Sequence, residues 1–143
     1  ISAALGISQI NSINKFIKLK KIANEYYIKK FKNFSNLEII SSPRYCKSNN
    51  WINILRINSS KSKSLVKELI IHLIKKNVQV RPIWQLNHLQ KPFKSCQKYK
   101  INHANKLLHS CICLPSSYTI SKKEINYISN EVISFLKNKG YLN

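Results

Sequence analysis

A chain of 143 residues with 43% hydrophobic content is sized for one domain with its own core. Its 25 Lys and Arg against 5 Asp and Glu give a formal net charge of +20, which would ordinarily indicate a nucleic acid or an anionic membrane surface. We discount that signal, because the excess is nearly all Lys and accompanies many Ile, Asn and Ser residues, the composition that AT-rich codons produce. No apolar run approaches the roughly 20 residues of a transmembrane helix, which excludes that class of protein.

The cysteines and the first residues bear on where the protein works. Four cysteines without the spacing of a disulfide framework favour a reducing compartment, and we expect a cytoplasmic protein; they are Cys46, Cys96, Cys111 and Cys113. The chain contains no Met and begins ISAALG, without the pattern of a cleaved signal peptide. We therefore expect residue 1 to lie inside a longer protein, of which this chain is a C-terminal part.

The first predicted elements are a long helix and two strands. Residues 2–34 carry apolar stripes at helical spacing and predict one helix, which residues 12–14 allow to bend. An uncapped helix of this length indicates a link between two bodies. Residues 37–42 predict a short strand ended by Pro43, and alternation over residues 50–58 predicts a second strand.

The middle of the chain predicts a helix between strands. Residues 61–77 read as an amphipathic helix, and the side chains expected to face the core are Val66, Leu69, Ile70, Leu73 and Ile74. A strand over residues 78–84 follows, and then a turn-rich stretch through residue 100. Residues 103–109 predict a short helix.

The final elements are a strand and a well-marked helix. Residues 110–114 predict a strand closed by Pro115. Ser121 with Glu124 three positions later forms a capping box, and Gly140 stands where a helix C-cap belongs. The expected core face of this helix is Ile125, Ile128, Val132, Phe135 and Leu136.

The element order predicts an α+β fold in which helices cover a small, mostly antiparallel sheet. We expect two parts: a linking helix over residues 1–34 and a small α/β domain over residues 35–143. No internal repeat or low-complexity linker interrupts them.

The segment VQVRPIWQLNHLQKPFK, residues 78–94, carries the clearest signal of a binding site. Arg81 stands at a strand end whose backbone Pro82 restrains, a placement that suits bidentate recognition of phosphate or carboxylate. Trp84 and His88 follow in the next loop, where they can stack on and hydrogen-bond to a sugar or a base. The alternative is ordinary structure: a solvated arginine, a core tryptophan and a surface histidine.

The sequence gives only weak signals of a metal site, of further ligand contacts or of catalysis. His103, His109, Cys111 and Cys113 lie close in sequence but lack the spacing of a zinc site, so we expect no metal. Ser116 and Ser117 follow the last strand and could donate to a ligand or simply form a turn. Glycine-rich phosphate loops, nucleophile elbows and paired carboxylates are missing, so we assign no catalytic residue.

Four segments in order resemble the C-terminal part of the DegT/DnrJ/StrS sugar aminotransferases. They are ISAALGISQI with KLKKIANEYY, then SNNWINILRI, then VRPIWQLNHLQKPFKSC, and finally CLPSS. The Arg-Pro-x-Trp segment with a downstream His resembles a subgroup that aminates keto sugars on nucleotide carriers for surface polysaccharides.

The resemblance implies a fold and a chemistry. Family members are similar to aspartate aminotransferase (fold type I), with a large domain that binds pyridoxal phosphate and a smaller C-terminal domain over the site. They work as homodimers and take the amino group from a donor, commonly glutamate. This chain would be the small domain, and its candidate contacts to the nucleotide sugar are Arg81, Trp84 and His88, with Ser116 and Ser117 as weaker candidates.

The chain departs from the family where catalysis is concerned. The family's catalytic lysine and its other cofactor-binding motifs belong to the large domain, and their motifs are not present, so we expect this chain alone to be inactive and to bind no cofactor. Two other hypotheses stay open. One is a small basic module that binds RNA or DNA, and the other is an interaction domain that keeps only dimer-forming surfaces.

Overall fold

The computed structural model describes residues 1–142, which form five helices and a four-stranded sheet. The helices are α1 (Ser2–Ile10), α2 (Ile13–Phe31), α3 (Ser62–Lys75), α4 (Asn102–Ser110) and α5 (Lys122–Asn138). The strands are β1 (Leu37–Ile39), β2 (Asn53–Ile57), β3 (Arg81–Pro82) and β4 (Cys111–Leu114). Two 3-10 turns, Asn87–Leu89 and Lys91–Phe93, lie between β3 and α4.

The sheet is antiparallel throughout and has the order β1-β2-β4-β3. The last strand in sequence therefore lies between β2 and β3, with Leu55 opposite Ile112 and Arg81 opposite Cys113. Pro82 occupies the edge strand β3, where its missing N–H costs no central ladder bond. The α+β prediction with an antiparallel sheet is confirmed.

One face of the sheet is buried under helices. Strand alternation places Leu37, Leu55 and Ile112 on that face, where they meet the apolar stripes of α2, α3 and α5. The largest fully buried side chains include Tyr27, Phe31, Leu55, Ile57, Leu69, Leu73, Ile112, Ile125, Val132 and Leu136. The predicted core face of α5 is confirmed at all five positions.

The N-terminal segment is two helices where the sequence predicted one. α1 ends at Ile10 and α2 starts at Ile13, and the Ser12 N–H closes the first helix with a bond of 2.9 Å to the Gln9 carbonyl. Asn and Ser are weak helix formers, which favours a break at residues 11–12. α1 contains no buried residue, whereas the second half of α2 reaches the core through Ala23, Tyr27 and Phe31.

The predicted strands are shorter in the structure. β2 starts at Asn53 rather than at residue 50, because the Ser48 hydroxyl and the Asn49 amide oxygen accept bonds from the N–H groups of Asn50 and Trp51. Asn50 also has a left-handed φ of 50°, which no strand tolerates. The strand predicted over residues 78–84 reduces to Arg81–Pro82, since only these two residues pair with β4.

The predictions of the three later helices, α3, α4 and α5, are accurate to one or two residues, with one error of orientation. In α3, Leu73 is fully buried, but Ile74, predicted to face the core, is 56% exposed, and Leu65 takes a core position instead. The capping box of α5 is confirmed, because Ser121 Oγ accepts from the Glu124 N–H and the Glu124 carboxylate accepts from the Ser121 N–H. Gly140, just past α5, has the positive φ of 72° expected of a C-cap glycine.

No helix within residues 1–142 combines the length and apolar content needed to cross a membrane.

Candidate functional site

A cleft of about 400 Å³ lies at the end of the sheet where β2 begins and β4 ends. It brings together four residues that the sequence predicted for the site: Arg81, Trp84, Ser116 and Ser117. The same cleft is lined by residues that were not predicted, namely Trp51, Ile52, Gln79, Pro82, Cys113, Leu114 and Pro115. Past Ser117 it continues into a second hollow of about 260 Å³.

Two tryptophans form the aromatic wall of this cleft. The ring centroids of Trp51 and Trp84 are 6.0 Å apart and the planes are tilted by 30°. Trp51 is 65% exposed and Trp84 63%, so neither indole is a core residue. Exposed indoles are costly to leave in water, and such a pair suits a flat ring or the apolar face of a sugar.

Arg81 supplies the positive charge of the cleft. Its backbone is fixed by the pairing with Cys113 and by Pro82, while its side chain stays exposed on the sheet face opposite the core. The guanidinium forms no ion pair or side-chain hydrogen bond with any residue of the described part of the chain. It is therefore available to bind an anion in two-pronged geometry.

The two serines hold the cleft together through bonds within the protein. Ser116 Oγ accepts from the Asn53 N–H at 2.8 Å and from Asn53 Nδ2 at 3.1 Å, and its hydroxyl donates to the Leu114 carbonyl at 2.9 Å. Ser117 Oγ lies 2.7 Å from Thr119 Oγ1 and accepts from the Thr119 N–H. Ser117 is exposed and borders both hollows, whereas the hydroxyl of Ser116 is already saturated.

A row of polar side chains on α2 supports the floor of the cleft from below. Lys20 Nζ donates to the Ser116 carbonyl at 2.6 Å and to the Trp51 carbonyl at 3.3 Å, and partial burial lowers the pKa of this amine. Asn24 Nδ2 donates to Asn53 Oδ1 at 2.8 Å. The Tyr27 hydroxyl donates to the Pro115 carbonyl at 3.1 Å, and burial, aided by the Glu124 charge, raises the pKa of this phenol above its usual range.

This row of side chains was not predicted from the sequence, although the sequence of α2 contains a signal of it. Positions 20, 24 and 27 share one helix face, and three polar groups on the face that also buries Ala23 and Phe31 indicate a buried hydrogen-bonding row. Its partners lie more than 25 residues away, and only the folded sheet brings them into reach.

His88 does not line the cleft. It lies half-buried in the 3-10 turn Asn87–Leu89 and is not among the lining residues. Its predicted contact with substrate stays a prediction.

The histidines and cysteines of the described residues do not assemble a metal site. No group of three or more His, Cys, Asp or Glu side chains within residues 1–142 is placed to hold a metal ion. His72 Nε2 lies 3.0 Å from a Glu131 carboxylate oxygen and links α3 to α5. Burial raises the pKa of the Cys111 and Cys113 thiols, which keeps them protonated near neutral pH.

Comparison with solved structures shows where this fold recurs. TlmJ, an aminotransferase from Streptoalloteichus hindustanus, matches with a TM-score of 0.83 and 17% identity over 96% of this chain and 36% of its own. Helicobacter pylori PseC, an aminotransferase involved in the biosynthesis of pseudoaminic acid, matches with a TM-score of 0.84 and 17% identity over 94% and 36%. An E. coli GDP-4-keto-6-deoxy-D-mannose-3-dehydratase with bound hydrated PLP matches with a TM-score of 0.77 and 22% identity over 92% and 34%.

This chain thus spans about a third of the length of the solved structures it matches. At such identities these likenesses show the fold alone. The sequence model of the DegT/DnrJ/EryC1/StrS aminotransferase family, in turn, matches residues 1–133. Because that match spans nearly the whole chain, the protein belongs to the DegT/DnrJ/EryC1/StrS aminotransferase family.

Proposed function

We propose that this chain is the C-terminal, substrate-facing part of a cytoplasmic, pyridoxal-phosphate-dependent aminotransferase. The complete protein would transfer an amino group from a donor such as glutamate to a keto sugar on a nucleotide carrier, for surface polysaccharide biosynthesis. Family membership supports the reaction class. One structure of similar fold, DesI, was determined in the presence of its TDP-sugar product, which supports the substrate class.

The observation that carries the proposal is the pairing of an unengaged arginine with two exposed indoles. A nucleotide sugar combines a flat base, a diphosphate and an apolar sugar face. Arg81 suits the diphosphate, and the Trp51–Trp84 wall suits the base or the sugar. Scaffold packing alone explains neither the exposed indoles nor a guanidinium without a partner.

The lining of this cleft does not fit pyridoxal phosphate. No carboxylate lines the cleft to face the pyridine nitrogen. Lys20, a partly buried lysine beside the cleft, has its amine engaged by the backbone carbonyls of Trp51 and Ser116. We propose that residues outside this chain hold the cofactor and that the chain alone is inactive.

The first 34 residues are proposed as the link to that cofactor-binding domain. α1 carries exposed apolar side chains and buries none of them against the rest of the chain: Leu5, Ile7 and Ile10 are 60–66% exposed. Such a surface is costly in water and suits contact with a further domain or with the partner of a homodimer.

The test is product analysis of the complete protein that contains this chain. Supplied with pyridoxal phosphate, glutamate and a nucleotide-linked 4-keto sugar, it should yield the amino sugar, seen by mass spectrometry, and 2-oxoglutarate in equal amount. One structure of similar fold is named as a dehydratase, so a deoxygenated keto sugar is the competing product. Formation of that product without amination would overturn the proposed reaction.

A further inference from the structure

Another cleft, of about 580 Å³ and separate from the two hollows beside Ser117, lies at the opposite end of the sheet, where β2 ends and β4 begins. We refer to it as the basic cleft. It is lined by Arg56, Ile57, Asn58, Ser59, Ser60, Ser62, Lys63, Lys106, His109 and Ser110. Four of these residues are basic and none is acidic, and the cleft is remote from the Trp51–Trp84 wall because β2 and β4 run the length of the sheet between them.

The positive charge in the basic cleft is mostly uncompensated. Lys63 and Lys106 form no ion pair with any described residue, and Arg56 has only a long, exposed contact of 3.5 Å with Glu38. The other four carboxylates are engaged elsewhere. Glu25, Glu68 and Glu131 pair with lysine or histidine side chains, and Glu124 belongs to the α5 capping box. Gathering like charges in a concave surface is unfavourable unless an anion offsets them.

Hydroxyl donors accompany these charges. The side chains of Ser60 and Ser62 make no hydrogen bond with the described residues, and Ser59 Oγ accepts from the Lys61 N–H, which leaves its own proton free to donate. Lys106 and His109 are three positions apart on α4 and therefore present their side chains on one face. Hydroxyls and cations converging on one hollow provide the donors that a phosphate needs.

We propose that the basic cleft binds a small phosphate-bearing anion, for which inorganic pyrophosphate serves as the probe. The lining offers donors and no acceptor carboxylate, which suits an anion and not a metal ion. No Phe, Tyr or Trp side chain lines the basic cleft, so it lacks the large stacking platform by which proteins hold single-stranded nucleic acid. The proposed function assigns no role to His109 or to the serine- and lysine-rich residues 59–64. Anion binding in the basic cleft would give them one.

Calorimetric titration of the complete protein that contains this chain, with pyrophosphate at fixed ionic strength, tests this site. The double variant Lys63→Gln with Lys106→Gln should weaken binding by about tenfold or more, since each lysine contributes a charge-assisted hydrogen bond. The matched control, Lys123→Gln with Lys137→Gln on α5, removes the same net charge and should change affinity by less than about twofold. Arg81 would also attract pyrophosphate, so all titrations use an Arg81→Ala background, in which the remaining saturable binding belongs to the basic cleft.

Three outcomes would overturn the proposal. The first is no saturable pyrophosphate binding, and the second is an equal loss in both double variants, which would mean that only net charge matters. The third is tighter binding of a random single-stranded oligonucleotide than of pyrophosphate, lost in the Lys63 and Lys106 variant, which would make the surface a nucleic-acid interface. Thermal unfolding of each variant checks that the fold is kept.

Discussion

Asn53 and Ser116 are joined by two hydrogen bonds, from the Asn53 N–H at 2.8 Å and from Asn53 Nδ2 at 3.1 Å, both accepted by Ser116 Oγ. Asn53 is 1% exposed, so water does not reach these donors. The pair ties the start of β2 to Ser116, two residues past the end of β4, and it thereby fixes the floor of the cleft.

Ser116→Ala should therefore lower stability. It removes the acceptor of two buried donors, and we expect the free energy of unfolding to fall by about 1–3 kcal/mol, the cost of leaving such groups unpaired. Ser117→Ala is the matched control and should change it by less than about 0.5 kcal/mol, as for an exposed residue. Urea unfolding measures both, and equal effects would contradict the structural role of Ser116.

Two adjacent apolar residues of α3 should respond very differently to truncation. Leu73→Ala opens a cavity at a fully buried position and should cost about 2–5 kcal/mol of unfolding free energy. Ile74→Ala trims a side chain that is 56% exposed and should cost less than about 1 kcal/mol. Comparable losses in urea unfolding would restore the original expectation that both face the core.

How far the sequence predicts this fold depends on how local each signal is. The capping box at Ser121 and Glu124 and the stripe of α5 lie within a few turns, so the helix and its buried face were both predictable. The start of β2 was not, because the side chains of Ser48 and Asn49 bond to the backbone and oppose strand pairing.

The candidate site follows the same rule. Arg81 and Trp84 are close in sequence, and both line the cleft. Trp51 joins them only because β4 pairs with both β2 and β3, a long-range arrangement that no local pattern encodes. His88 was predicted from its spacing to Trp84, but the 3-10 turn takes it out of the cleft lining.

The phenol of Tyr27 should make stability depend on pH at alkaline values. Its pKa is raised in the folded protein by burial and by the Glu124 charge, so the folded state binds a proton that the unfolded state releases above about pH 10. The contribution is complete below that pH and is lost as pH rises further.

Tyr27→Phe isolates this effect. At pH 7 the variant loses the bond to the Pro115 carbonyl and should be less stable by about 1 kcal/mol. Above about pH 10 only the parent chain must keep a phenol protonated on folding, so the difference should shrink or reverse. Urea unfolding at pH 7 and at pH 10.5, the latter about half a unit above the ordinary phenol pKa, measures the difference in unfolding free energy between the two chains. A difference that does not vary with pH would contradict the account.

Trp51 tests the aromatic wall of the cleft. In the complete protein, Trp51→Ala should raise the KM for the nucleotide sugar by about tenfold, the scale of one lost ring-stacking contact. Trp51→Phe keeps an aromatic face and should recover most of the affinity. If alanine and phenylalanine variants behave alike, stacking is not what Trp51 provides.

The most direct test of the proposed substrate cleft is the steady-state kinetics of Arg81→Ala in the complete protein. The KM for the nucleotide sugar should rise by about tenfold or more, because a charge-assisted contact to the diphosphate is lost. The KM for the amino donor should stay the same, and Arg56→Ala at the far end of the sheet should leave both unchanged. An unaltered KM for the nucleotide sugar in Arg81→Ala would contradict the assignment of this cleft to the substrate.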